Sequence, residues 1–179
     1  MTIQLVIKNV KPYKTIKPVI DGQKSVMEFG IRLYNPTEAE ALSKEFQALA
    51  INNELRMASA KLEKWVEEGD KTTEEFYTTE QSLKDVVESL AKGQRDKIND
   101  FYRKQIIFAG NISTSYGDKD ITVIDTRTVQ PIESLWSTPE ECLAVLLGAL
   151  MEVPSIWDSL TSDILSVIFN TYKEEKVKN

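Results

Sequence analysis

The chain has 179 residues, 41% apolar and 28% charged, which excludes a disordered polypeptide and allows one domain, with or without an appendage, to bury a real core. No apolar run approaches the roughly eighteen residues of a membrane span, so no membrane partner is expected; a single cysteine excludes an internal disulfide and fits a reducing cytoplasm. The net charge of −6 hides a gradient: residues 1–35 carry six bases against two acids, whereas 109–172 carry Lys119 and Arg127 against nine acids.

Residues 3–8, IQLVIK, read as a short strand, and MTIQLVIKNV lacks the charged start and long apolar core of a signal peptide. Residues 9–24 are rich in Lys and Pro, with Asp21-Gly22 as a turn signal. Within 25–34, Met27, Phe29, Ile31 and Leu33 alternate with Glu28, Gly30 and Arg32, a strand with one buried face. The segment 1–35 is thus a basic, β-rich start.

Asn35-Pro36-Thr37-Glu38 supplies a cap, a proline at the first helical position and an acid two residues on. The helix it opens is predicted to run to about Glu68 and to stop at Gly69 in a left-handed conformation. Leu42, Phe46 and Leu49, then Leu55, Ala58, Leu62 and Trp65 form its apolar positions; the spacing slips at Asn52-Asn53, so the stripe changes partner there or the helix bends. After a polar linker, 69–79, a second helix is expected to start near Thr78 with Gln81 as capping partner and to continue to Phe108. Gly93 lies inside it at a cost of about 1 kcal/mol relative to alanine, which leaves one helix or two open. The simplest packing sets 37–68 antiparallel to 78–108, a long helix pair within 36–108.

Residues 110–120 are turn-rich, and the β-branched run ITVIDTRTV predicts a strand over 121–129. That strand either joins the N-terminal sheet or makes a hairpin with 106–114 across Gly117-Asp118. Leu135 and Trp136, at the end of 109–137, are placed to plug the core. A helix pair follows over 138–173. Thr138 caps it, Pro139 opens the first helix, Glu141 completes a capping box, and Pro154 ends that helix and opens the next. The first of the two is apolar nearly all round and expected to be buried; the second shows one face of Trp157, Leu160, Ile164, Val167, Ile168 and Tyr172. Residues 174–179 are a charged, frayed end. The fold class is α+β and mostly helical: a small sheet from the N-terminal and 121–129 strands, packed with a long antiparallel helix pair and a C-terminal helix pair, in one domain.

Catalytic chemistry has little to work with. Without any histidine there is no histidine triad and no usual general base, and most zinc sites are excluded. Cys142 sits one turn into an apolar helix and reads as a small buried hydrophobe. No glycine-rich phosphate loop occurs. Asp118, Asp120 and Asp125 lie close enough in sequence to suggest a hard cation, but the spacing is not an EF-hand, and aspartates beside Gly117 are also ordinary turn residues. The expectation is a non-enzyme with no metal and no cofactor. Four spaced lysines are too small a basic footprint for general nucleic-acid binding.

A protein partner is the better prospect. A helix of over thirty residues is about 45–50 Å long, more than a small core covers, so part of its stripe needs a partner helix or a second copy of the chain. The surface expected to meet it is Leu55, Leu62 and Trp65, flanked by Glu54, Glu63, Glu67 and Glu68. Those acids equally read as solvated surface.

The layout as a whole resembles the tail assembly chaperones of long-tailed bacteriophages: a basic, extended start, a charged helical middle closed by FYRKQIIFAGN, and a proline-started C-terminal helix with Trp157 and Leu160. The resemblance covers most of the chain and transfers no functional residue. It implies a small acidic protein of the host cytoplasm that binds the tape measure protein and keeps it soluble before the tail tube forms. Two other classes fit the same residues: a phage-encoded inhibitor or nucleic-acid mimic acting on a host enzyme, and a structural tail-completion protein of the virion.

Overall fold

A computed structural model describes residues 12–116, 119–128 and 136–176. Helix predominates, with a four-stranded and a two-stranded antiparallel sheet, so the class is mixed α+β and mostly α. The elements in order are β1 (Tyr13–Ile16), β2 (Val19–Ile20), β3 (Gln23–Lys24), β4 (Glu28–Arg32), α1 (Pro36–Ala50), α2 (Asn53–Glu68), α3 (Glu74–Arg103), β5 (Ile106–Tyr116), β6 (Lys119–Asp125), a 3-10 turn (Thr126–Thr128), α4 (Pro139–Met151) and α5 (Pro154–Lys176). They form two compact units, one of residues 1–40 and 102–179 and one of residues 41–101.

In the first unit the large sheet has the order β1-β4-β5-β6. The Lys/Pro-rich stretch holds more strand than its composition suggests: β1 lies along β4 with Ile16 opposite Phe29, and β2 and β3 form a tight hairpin. Asp21 and Gly22 close that hairpin with φ of 50° and 77°, the positive pair a two-residue turn needs to match the strand twist. The expected strand 25–34 is present as 28–32. The expected strand 3–8 lies outside the described residues, as do Gly117-Asp118 and Leu135.

The segment 106–116 departs from expectation. The second long helix ends at Arg103 rather than Phe108, and Ile106–Tyr116 is a strand between β4 and β6. Ile106, Phe108 and Ile112 stay buried, so apolar residues that would also fit helical spacing serve a sheet instead. The 121–129 strand is β6, over 119–125, and both alternatives for it hold at once: it makes a hairpin with β5 and through β5 joins the N-terminal strands.

Pairing puts Thr15, Gly30 and Phe108 on one face of the sheet and Ile16, Phe29 and Ala109 on the other. Gly30 is where it is because the Phe108 ring lies across it; any Cβ there would overlap the ring. The far side of that ring carries the Arg127 guanidinium, 3.7 Å from its centroid, and Tyr13 meets it edge-on at 5.3 Å. Thr126 Oγ1, fully buried, accepts from the Ala109 N–H at 3.1 Å.

The C-terminal pair starts as expected. Thr138 Oγ1 accepts from the Glu141 N–H at 3.1 Å, while the Glu141 carboxylate reaches one residue further back, to the Ser137 N–H at 2.7 Å. Cys142, Leu146, Leu147 and Leu150 are buried, but Val145 is 41% exposed, so α4 is covered on one face and not all round. On α5, Trp157, Leu160, Ile164 and Ile168 are buried as their spacing requires. Trp136 is also buried, and the Trp157 ring meets Tyr102 edge-to-face at 6.4 Å. Burial pushes the Tyr102 hydroxyl up to about 12, so it stays neutral against this core.

Trp157→Ala should cost about 3–5 kcal/mol in chemical denaturation. A loss under about 1 kcal/mol would show that its face is not core.

Candidate functional site

The unit 41–101 is a helical hairpin whose geometry follows from Asn52. Asn52 adopts an extended conformation and its Oδ1 accepts from the Leu55 N–H at 3.0 Å, capping a new helix. The expected helix over 36–68 is therefore two helices, α1 and α2, and the slip in apolar spacing marks a true break. Across the break, Gln94 Nε2 of α3 donates to the carbonyls of Leu49 and Ala50, each at 3.1 Å. Those are C-terminal carbonyls of α1 without a partner inside the helix, so α3 closes the end that the break opened.

The second helix begins earlier than expected, at Glu74 rather than Thr78. Thr73 Oγ1 accepts from the Phe76 N–H at 3.2 Å, so the cap is Thr73, and Gln81 bonds Asp85 instead of acting as a capping partner. The helix passes Gly93 without interruption; nothing lies within 4 Å of a Cβ there. Gly69 ends α2 in an extended conformation, φ −74° and ψ 149°, not a left-handed one. Glycine is needed for space, since a Cβ would meet the Phe76 ring at 2.5 Å.

Three contacts fix the pairing as antiparallel. The Phe46 and Phe101 rings lie 5.5 Å apart, Gln94 bonds the end of α1, and Trp65 stacks on Phe76 at 6.1 Å. Trp65 Nε1 also donates to the Phe76 carbonyl at 3.2 Å, which fixes the indole across the mouth of the hairpin.

This layer is thin. No residue of α2 is buried. Leu55, Ala58, Ser59, Leu62, Trp65 and Val66 form a stripe along it, and every one is only half-buried. On α3, Leu83, Val87, Leu90 and Ile98 make the answering stripe and are also half-buried. Of the residues named from sequence, Leu55, Leu62 and Trp65 therefore share one incompletely covered face. Beside Trp65 a hollow of about 370 Å³ is lined by Lys61, Lys64, Glu68 and Gly69.

Glu54, Glu63, Glu67 and Glu68 are all exposed, as expected of flanking charges. They do not form an unbroken acidic rim, because Arg56, Lys61 and Lys64 are interleaved with them. Lys64 and Glu68 approach to only 3.9 Å with both side chains mostly in water, a contact of little energetic weight. The residues the sequence reading missed are the ones that build the hairpin: Gln94, Phe76 and Thr73. Only Asn52 carried a local signal, as a good cap residue at the slip.

Elsewhere the chemistry-bearing groups are kept apart. Asp125 holds Arg127 with two oxygens, at 2.6 Å and 3.0 Å for the shortest contacts, and Asp120 accepts from Ser115 Oγ at 2.5 Å. An odd separation along one strand puts Asp120 and Asp125 on opposite faces, and Asp118 lies outside the described residues. Among the described residues no three His, Cys, Asp or Glu side chains gather as metal ligands. The Cys142 thiol is buried, and burial pushes its pKa up, away from the thiolate a nucleophile needs. No single helix among the described residues is long and apolar enough to cross a membrane. Comparison with known proteins yields no relative: no family model matches the chain, and no curated protein or solved structure matches it.

Hydrogen bonding from Arg127 holds the Asp125 carboxyl below its ordinary range. A carboxyl lowered by folding stabilises above its unfolded pKa, and the stabilisation is lost as pH falls through the folded value. Wild type should therefore lose stability on acidification below about pH 4 more steeply than Asp125→Asn, measured by denaturant midpoints across the acid range. Parallel curves would show that the pair contributes nothing to the acid limb.

Proposed function

We propose that the chain is a non-catalytic binding protein whose helical hairpin takes an amphipathic helix of a protein partner, and that this partner is a phage tape measure protein. One observation carries the first part: α2 presents a stripe of Leu55, Leu62 and Trp65 and buries none of it fully. A helix–helix layer left open in this way matches a third amphipathic helix, which supplies apolar side chains at the same three- and four-residue spacing. Trp65 is the natural anchor, being large, partly exposed and held in orientation by Phe76. The surrounding mixed charges orient the incoming helix and make its association sensitive to salt.

The tape measure protein enters through the layout resemblance. Such proteins are long and helix-rich, with apolar segments that aggregate unless covered, and a chaperone for them needs a reversible apolar face and solubilising charge rather than a catalytic group. The separated carboxylates and the buried thiol agree with that role.

Co-expression tests the reading. Wild type should keep the tape measure protein soluble, and Leu55→Ala combined with Leu62→Ala, which leaves the Trp65–Phe76 stack in place, should lose most of that effect while keeping a native circular dichroism spectrum. Failure of the wild type to solubilise it, or full activity of the double variant, would remove the assignment.

A further inference from the structure

Gly93 lies in the interior of α3, where glycine lowers stability relative to alanine. Its own chain gives no reason for it. The backbone there is helical rather than left-handed, and nothing beyond its own helical turn lies within 4 Å of where a Cβ would stand. Gly30 and Gly69, by contrast, are held to glycine by rings of the same chain. Leu90, Gly93, Gln94 and Lys97 share one face of α3 by their three- and four-residue spacing. Gln94 turns that face toward the break between α1 and α2, since it bonds the Leu49 and Ala50 carbonyls. The side chain missing at 93 thus leaves a hollow of about 350 Å³ against the break. Leu49 and Leu90, both half-buried, give it apolar walls, and Ile51, 67% exposed, also lines it. Glu54 of α2 and Lys97 of α3 line it as well; both are exposed, and among the described residues they make no ion pair. Ligand clefts run from about 300 to 1,000 Å³, so this one suits a single large side chain better than a cofactor.

We propose that the hollow over Gly93 receives one large apolar side chain, leucine or aromatic, of an incoming amphipathic helix that carries a basic residue toward Glu54 and an acidic one toward Lys97. The proposal rests on the reading of the hairpin as a helix-binding surface, and adds where the helix is anchored and what it must carry. Glycine serves this arrangement because any side chain at 93 would take up the space the partner needs. Glu54, at the hollow, and Trp65 stand about 16 Å apart along α2, at the helical rise per residue. That is eleven residues, or three turns with about 20° left over, so a helix lying along α2 presents its own residues at the same spacing on one face. The partner segment is one with large apolar residues eleven positions apart, one for Trp65 and one for the hollow.

Titration calorimetry of the full chain with an amphipathic tape measure segment of this spacing tests the proposal, beside chemical denaturation of each variant. Gly93→Leu should fold and bind about tenfold more weakly or worse, since its side chain fills the hollow. Gly93→Ala guards against a leucine that disturbs the helix: its denaturant midpoint should rise while its affinity falls. Lys97→Glu should weaken binding about fivefold by setting like charges together. A lower midpoint for Gly93→Ala would show that glycine serves the fold, and would overturn the proposal. Affinity equal to wild type in a folded Gly93→Leu would overturn the hollow and leave the helix-binding face standing. Indifference to Lys97→Glu would overturn the charges assigned to the partner. A wild type that binds no such segment would overturn the hollow and the helix-binding reading together.

Discussion

A pair of helices covers each apolar stripe from one side only, and the unit 41–101, taken by itself, lives under that constraint. A stripe buried halfway gains only part of the ~25 cal/mol per Å² that full burial gives, so the hairpin depends on specific fixings. Asn52 caps α2, Gln94 closes the end of α1, and the Trp65–Phe76 stack joins the far ends. The same fixings hold the α2 and α3 stripes in their antiparallel register.

The other unit solves its core problem in the usual way, with a sheet and helices that bury Phe29, Ile31, Leu160, Ile164 and Ile168 completely. Its exposed side is held by a different device. The Phe108 ring fills the gap over Gly30, Arg127 lies on the ring, and Asp125 fixes the guanidinium. Strands β1, β4, β5 and β6 are tied through these few side chains. Of the aspartates that in sequence suggested a cation, Asp125 is engaged by a guanidinium and Asp120 by a serine hydroxyl.

Much of this was legible before the structure, and the failures are instructive. Caps at Asn35 and Thr138 and prolines at helix starts act locally, so their positions read directly. The stretch after Arg103 misled because Phe101, Tyr102, Ile106 and Phe108 satisfy helical spacing as well as strand burial; no Gly or Pro stands at the boundary, and pairing with β4 and β6 decides it from afar. Gly69 was expected at a helix end for its backbone freedom, whereas it is there for the Phe76 ring. In the candidate site, Leu55, Leu62 and Trp65 were readable from periodicity. Their degree of exposure was not, because it depends on how far α3, distant in sequence, covers them.

The three tryptophans allow the central claim to be tested directly. Trp136 and Trp157 are 2% and 6% exposed, while Trp65 lies partly open on the hairpin. Collisional quenching of tryptophan fluorescence therefore reports mainly on Trp65 in the free chain. Adding an amphipathic helical segment of the tape measure protein should remove most of the quencher-accessible signal. An unchanged accessible fraction, with the segment shown by sedimentation to be bound, would place the binding surface away from the α2 stripe.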